Sequence, residues 1–208
     1  MPPKIHCVRH AQGYHNLNVA NHAMLDPQLT PLGEEQCRTL SKDFPYTNDI
    51  DLVVASPLKR TVWTALHSFP DPIAKRNLKV IALPELQETS DLPCDTGSAP
   101  DEVAREFRGQ PVDLARLQTP DGQTWTSKKG KWAPHADAIT ARAREARRWL
   151  SARPEKEIVV VTHGGFLHYF TEDWNGADRF QGSHTHHHDH RHQQTDAAAV
   201  ATVAVGGG

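Results

Sequence analysis

Cysteine is scarce here. Only Cys7, Cys37 and Cys94 stand in the chain of 208 residues, and no two form a C-x-x-C pair. An odd, widely spaced set excludes a disulfide frame and suits reduced thiols inside a cell. Long apolar runs are missing too: none approaches the roughly 20 residues that a membrane-spanning helix needs. A strand-like run begins within five residues of Met1, an arrangement that predicts no signal peptide. Nor does either sign of charge dominate. Lys and Arg number 23 against 25 Asp and Glu, a net −2 with histidine neutral, so there is no basic field for nucleic acid and no acidic tail. These absences predict a soluble protein, cytoplasmic with the nucleus as the other compartment, with neither a nucleic-acid nor a membrane partner. The length suits one domain of ordinary size with additions, large enough to bury a core.

What is present starts early. Ile5-His6-Cys7-Val8 is a short, largely apolar run of the kind that makes a buried strand; it ends in Arg9-His10, and the chain then turns polar through Gln12-Gly13-Tyr14-His15-Asn16. A strand that delivers an Arg-His pair to its C-terminal end is the ligand-side layout of an α/β sheet. Imidazole there can attack phosphorus, and guanidinium can hold a phosphate by two parallel hydrogen bonds. The dipeptide alone is more simply a solvated pair at a strand end, and it recurs at Arg191-His192 with no strand before it.

The rest of the chain repeats the layout. Thr30 as N-cap, Pro31 in the first turn and Glu34 and Glu35 after it predict a helix with Gly33, Cys37, Leu40 and Phe44 on one face, stopped by Pro45. Asp51 to Ala55 reads as a second strand, after which Pro57 can open a helix with Arg60 in its first turn. A cation there opposes the helix dipole, which suits a phosphate site or, more simply, a snorkelling surface arginine. Leu78 to Leu83 is a third strand, running into Glu85 and Glu88, either of which could be a general acid or an inert surface carboxylate. Ser98, Asp101 and Glu102 predict a short helix to about Phe107.

Residues 108 to 135 are broken by Pro, Gly and Asp. Within them Trp125 to Trp132 combines two tryptophans with Lys128, Lys129 and Lys131. This stretch suits a loop with packed tryptophans and solvated lysines, an anion-attracting flap, or an aromatic and basic nucleic-acid patch. Residues 136 to 152 form the clearest helix. Ile139, Ala143, Ala146 and Leu150 make its apolar stripe, and Arg142, Arg144, Arg147 and Arg148 its solvated face. Glu157 to Thr162 is a β-branched buried strand, followed by His163-Gly164-Gly165 and an apolar helix from Phe166 to about Trp174. Strands alternating with helices predict a mainly parallel sheet covered on both faces. Arg9-His10, Arg60, Glu88 and His163 all fall just beyond strand ends, so they are expected at one edge.

These residues resemble a known family. Arg9-His10 with Asn16, Ser56-Pro57-x-x-Arg60-Thr61, Leu86-x-Glu88 and Thr162-His163-Gly164-Gly165 are similar to the motifs of the histidine phosphatase, or phosphoglycerate mutase-like, superfamily over residues 4 to about 174. The resemblance implies a three-layer α/β sandwich and metal-independent hydrolysis of a small phosphorylated molecule, with no cofactor. His10 would attack phosphorus; Arg9, Arg60 and His163 would bind the phosphoryl oxygens, with Asn16 assisting; and Glu88 would protonate the leaving oxygen. Glu85 satisfies the same Leu-x-Glu spacing one register earlier, and Asp95 is a further acid candidate.

The sequence also departs from the family pattern. The usual glycine after the nucleophilic histidine is Ala11, where a required positive φ would be strained. Many members place Glu where Gln12 stands. The Glu-Arg-x-x-Gly element of the glycolytic mutases is absent after Leu86, which favours hydrolysis over mutase activity. These departures leave a second reading, a weak or inactive member that binds phosphate or a protein. Residues 1–181 are expected to form the phosphatase domain. Residues 182–208, with six histidines between His184 and His192, an Ala/Val run and three terminal glycines, read as a poorly ordered low-complexity tail. His-rich tracts can take up divalent metals; no metal site is assigned here.

Overall fold

The structure is a computed structural model and describes residues 2–118, 124–174 and 200–204. Six strands form one sheet: β1 (Lys4–Arg9), β2 (Leu52–Ala55), β3 (Val80–Ala82), β4 (Val112–Asp113), β5 (Glu157–Thr162) and β6 (Val200–Ala204), in the order β4-β3-β2-β5-β1-β6. All neighbours are parallel except β1 and β6, which pair antiparallel with Lys4 opposite Ala204 and Val8 opposite Val200. Among the described residues six α-helices accompany the sheet: α1 (Pro31–Asp43), α2 (Lys59–Ser68), α3 (Pro70–Lys75), α4 (Pro100–Glu106), α5 (Ala136–Ser151) and α6 (Gly164–Thr171). None of the described helices is long and apolar enough to cross a membrane.

The strands explain the layers. Side chains alternate along β5, so Val159 and Val161 join the core with Leu40, Val62, Ala65 and Val103, while Ile158 and Val160 join the opposite core with Ile139, Ala143, Phe166 and Leu167. Burial on both faces is why these strands read as continuous apolar runs. The expected α/β sandwich, mainly parallel with helices on both faces, is the observed fold. The chain leaves β1 and β2 toward the face of α1 and α2, and leaves β5 toward the face of α6. Where neighbouring strands send their helices to opposite faces, a crevice opens at their C-terminal ends.

Some boundaries differ from expectation, for tertiary reasons. α2 begins at Lys59, two residues after Pro57, because its first amide is capped from a distance: Asp26 Oδ1 accepts from Lys59 N at 2.9 Å. Ser98 does not start α4, whose cap position is Ala99; its hydroxyl donates to Asp26 Oδ2 at 2.7 Å instead. α6 starts at Gly164 and ends at Thr171, not Phe166 to Trp174, with Glu172 turning it off at φ 57°. α3 has no counterpart in the sequence reading. Val200–Ala204 lie within the expected tail and are nevertheless a strand, with Val203 packed on the α5/α6 core. The histidine tract from His184 to His192 lies outside the described residues.

Candidate active site

The ends of β1, β2 and β5 lie side by side. The His10 amide donates to Thr162 O at 3.0 Å, and the Ser56 amide donates to Val161 O at 3.0 Å. Leu83 N donates to Ala55 O at 2.8 Å, so the chain leaving β3 is laid along the end of β2 before the turn Pro84–Leu86. Thr162 Oγ1 then donates to Leu86 O at 2.7 Å, bringing Glu88 toward β5. Arg9, His10, Arg60, Glu88 and His163 thus come together at one edge, as the strand-end argument expects.

His10 is buried, and its Nδ1 lies 2.6 Å from Ala11 O. A carbonyl can only accept, so Nδ1 carries the proton and Nε2 presents its lone pair. Burial, with Arg60 and Arg9 nearby, pushes the His10 pKa well below its ordinary value, which keeps the ring neutral. His163 is also held neutral by burial and by Arg60. Arg60 Nη2, a pure donor, lies 3.4 Å from His163 Nδ1, so His163 Nε2 carries the proton and donates to Ser56 Oγ at 2.9 Å. The rings of His10 and His163 are 5.3 Å apart.

Arg60 is only 1 % exposed, which rules out the surface-arginine alternative. Its Nη1 donates to Cys94 O and its Nη2 to Asp95 Oδ1 at 2.9 Å. Asp95, with Ser90 Oγ on its other oxygen, therefore orients Arg60. The Nε–H groups of Arg9 and Arg60 are both buried with no hydrogen-bond partner among the described residues. Buried donors without acceptors are costly, and two of them beside a neutral imidazole mark a place built for an anion.

Glu88 is partly buried. Its carboxylate accepts from Thr89 N at 2.9 Å, Gly165 N at 3.2 Å and Phe166 N at 2.9 Å, and so caps α6. Gly165 permits that approach: a Cβ there would lie 2.7 Å from Glu88 Oε1. Burial and the nearby Asp95 charge raise the Glu88 pKa against these amides and Arg60. Glu85 goes elsewhere, to Lys131 Nζ at 3.0 Å.

Asn16 Oδ1 accepts from Gly13 N at 2.9 Å and shapes the loop after His10. Ala11 is not among the positive-φ residues, so alanine carries no strain there, and its amide donates to Thr64 Oγ1 at 3.0 Å. Gln12 Oε1 accepts from the N-cap hydroxyl of Thr30 at 2.7 Å and locks this loop to α1.

The sequence reading missed several residues. Arg142, assigned to the solvated face of α5, is 2 % exposed. Its guanidinium donates to Glu85 O (2.7 Å), Gln87 O (2.6 Å) and Glu88 O (2.9 Å), and stacks 4.7 Å from the Phe166 ring. The signal was its spacing, three after Ile139 and four before Ala146. His15 is buried with its ring 5.4 Å from that of His10, and Asp26 ties α2 to Ser98; only the fold brings them there. In the Lys/Trp stretch, Trp125 and Trp132 are buried and Lys131 pairs with Glu85 and Glu145. Those rings cannot stack on bases, which removes the nucleic-acid reading. Lys128 alone turns inward, Nζ donating to Gln87 Oε1 at 3.0 Å and Asp95 O at 2.7 Å.

Comparison with known proteins agrees with this geometry. The family model of the histidine phosphatase superfamily (branch 1) matches residues 5–198. A phosphoglycerate mutase-like protein of Arabidopsis thaliana is 29 % identical over 199 residues, covering 79 % of this chain and 72 % of its own. A probable phosphatase of Schizosaccharomyces pombe is 26 % identical over 168 residues, with 80 % and 76 % covered. Among solved structures, the ecdysone phosphate phosphatase of Bombyx mori, in complex with tungstate, superposes with a TM-score of 0.61 at 17 % identity, over 96 % of this chain and 88 % of that one. Family and relatives together support phosphatase chemistry in general. The chain belongs to the histidine phosphatase superfamily.

Proposed function

We propose that this protein is a metal-independent phosphomonoester hydrolase working through a phosphohistidine on His10. The observation that carries the reading is the His10 tautomer: with Nδ1–H held on Ala11 O, Nε2 keeps its lone pair, and the two nearby arginines, Arg9 and Arg60, each have a buried Nε–H without an acceptor among the described residues. A phosphoryl group bound by Arg9 and Arg60 is placed for in-line attack by Nε2. The bond to the leaving oxygen breaks as the N–P bond forms, and Glu88, whose raised pKa favours the protonated form, gives that oxygen its proton. Water then attacks the phosphohistidine and Glu88 takes the water proton, releasing phosphate and restoring His10. A bound dianion raises the proton affinity of His163, and a proton gained at Nδ1, in place of the 3.4 Å contact with Arg60 Nη2, lets the ring support the equatorial oxygens; Asn16 keeps the loop in register. Stabilising charge on those oxygens is the main task in phosphoryl transfer, and losing one such donor costs about 10²–10³ in rate. The substrate is a small phosphorylated molecule, and hydrolysis is favoured over mutase activity.

The test is hydrolysis of 4-nitrophenyl phosphate in EDTA at mildly acidic pH, wild type beside His10→Ala. Turnover that survives the chelator and disappears in the variant, with an acid-labile phosphoryl group trapped on the wild type, is the expected result. A second reading, a phosphate-binding member without turnover, is favoured by one observation: three amides hold the Glu88 carboxylate and stabilise its ionised form. Folded wild type that binds phosphate and releases no nitrophenol would establish it.

A further inference from the structure

Lys128 is the one lysine of its loop without a carboxylate partner in the site's vicinity that also points inward. Lys131, three residues on, is paired with Glu85 and Glu145, and Lys129 is exposed. Lys128 instead rests on two neutral oxygens, Gln87 Oε1 at 3.0 Å and Asp95 O at 2.7 Å. An ammonium has three protons, so one donor remains.

Its supports belong to the site. Gln87 is the neighbour of Glu88, and Asp95 is the residue whose carboxylate holds Arg60. The loop is anchored by the buried Trp125, whose carbonyl accepts from Gln87 Nε2 at 3.0 Å, and Lys128 itself takes φ 57°, a conformation that lysine rarely adopts. A lysine bent inward by a strained turn is thus held against the residues that adjoin the acid and orient Arg60, with His163 also within its electrostatic reach.

We infer that Lys128 is a specificity-determining residue that receives a second anionic group, a carboxylate or further phosphate, on the leaving-group side of the substrate. The inference rests on the phosphatase reading above. The titratable and charged groups facing Lys128 are Asp95, Glu88, Arg60, Arg142 and His163; burial, helped by Arg142 and Arg60, lowers its pKa to about 8 against the pull of Asp95 and Glu88. Its charge is present below that pH and lost above it, so the attraction fades as pH rises through about 8.

The experiment compares matched pairs: 3-carboxyphenyl phosphate with phenyl phosphate, and 3-phosphoglycerate with glycerol 3-phosphate. In wild type, kcat/KM favours the doubly charged member of at least one pair by about tenfold or more. That ratio collapses toward one in Lys128→Gln, is kept in Lys128→Arg, and falls in wild type between pH 7 and pH 9. No preference in either pair overturns the inference. So does a ratio unchanged in Lys128→Gln, or an equal loss on both members, which marks a strut. If Lys128→Gln does not fold, the arginine variant and the wild-type pH profile decide. Calorimetric affinities of the four compounds for His10→Ala give the same ratio without turnover. A folded wild type that hydrolyses none of them sinks the phosphatase reading alone.

Discussion

A carboxyl group can protonate a departing oxygen only while it holds a proton, and at Glu88 burial and Asp95 push that way while three amides and Arg60 pull against them. Glu88→Gln keeps the shape and removes the proton. It is expected to lower kcat about 10²–10⁴-fold on phenyl phosphate and far less on 4-nitrophenyl phosphate, whose oxygen leaves without help. Equal losses on both would remove Glu88 from the proton-donor role. Working against Glu88, kcat/KM should fall as pH rises through its raised pKa, while the acid limb lies well below the ordinary histidine range because His10 is depressed. At this scale the sequence was informative where residue type and strand end coincide. Arg9, His10, Arg60, Glu88 and His163 each follow an apolar run or open a helix, and chemistry alone makes them candidates. Lys128 and Asp26 follow no strand, so nothing local distinguishes them from solvated side chains.

Elements set how steadily those side chains are held. The turn carrying Glu85 to Glu88 has its carbonyls gathered by Arg142 from α5. Arg142→Met removes three charged hydrogen bonds, each worth about 1.5–3 kcal/mol with part recovered by water, so a loss of roughly 3 kcal/mol is expected in urea unfolding. Arg142→Lys restores the charge but not the fork and should recover little. α1 abuts the loop after His10 in the same way: a Cβ on Gly33 would lie 2.2 Å from Gln12 O, a backbone atom. Gly33→Ala is therefore expected to cost about 1–3 kcal/mol and to lower kcat by moving His10. α1 and β5 were legible because their patterns and boundaries are local. The 84–88 turn was not, since its shape comes from a helix more than fifty residues away.

For the whole molecule, β6 decides whether β1 is an inner or an edge strand. His6 Nδ1 lies 2.9 Å from Thr202 Oγ1, and Val203 reaches the core. Deleting residues 175–208 uncovers the outer side of β1, a template for aggregation. It should lower stability by roughly 2 kcal/mol, about 4–8 °C in Tm, with light scattering on heating. The buried histidines add a pH dependence. His10 and His163 are depressed in the fold and take protons at about 6.5 when unfolded, so stability is full above that pH and is lost as pH falls below it. Glu88 acts in the opposite sense, its contribution falling as pH rises above the ordinary carboxylate value. The acid loss should therefore be read as the difference between wild type and His10→Asn/His163→Asn, whose urea midpoint should vary less between pH 7.5 and pH 5.5.

Taken by itself, the sequence determined the alternation of strands and helices, the parallel sheet with two covered faces, and the set of groups at its C-terminal edge. Apolar period, caps and strand ends are properties of neighbouring residues. Tertiary structure alone decided which nitrogen of His10 is free, that Arg142 is an internal support, and that part of the apparent tail completes the sheet. Each of these depends on a hydrogen bond or a burial shared by residues far apart in the chain, and such pairings exist only once the chain has folded.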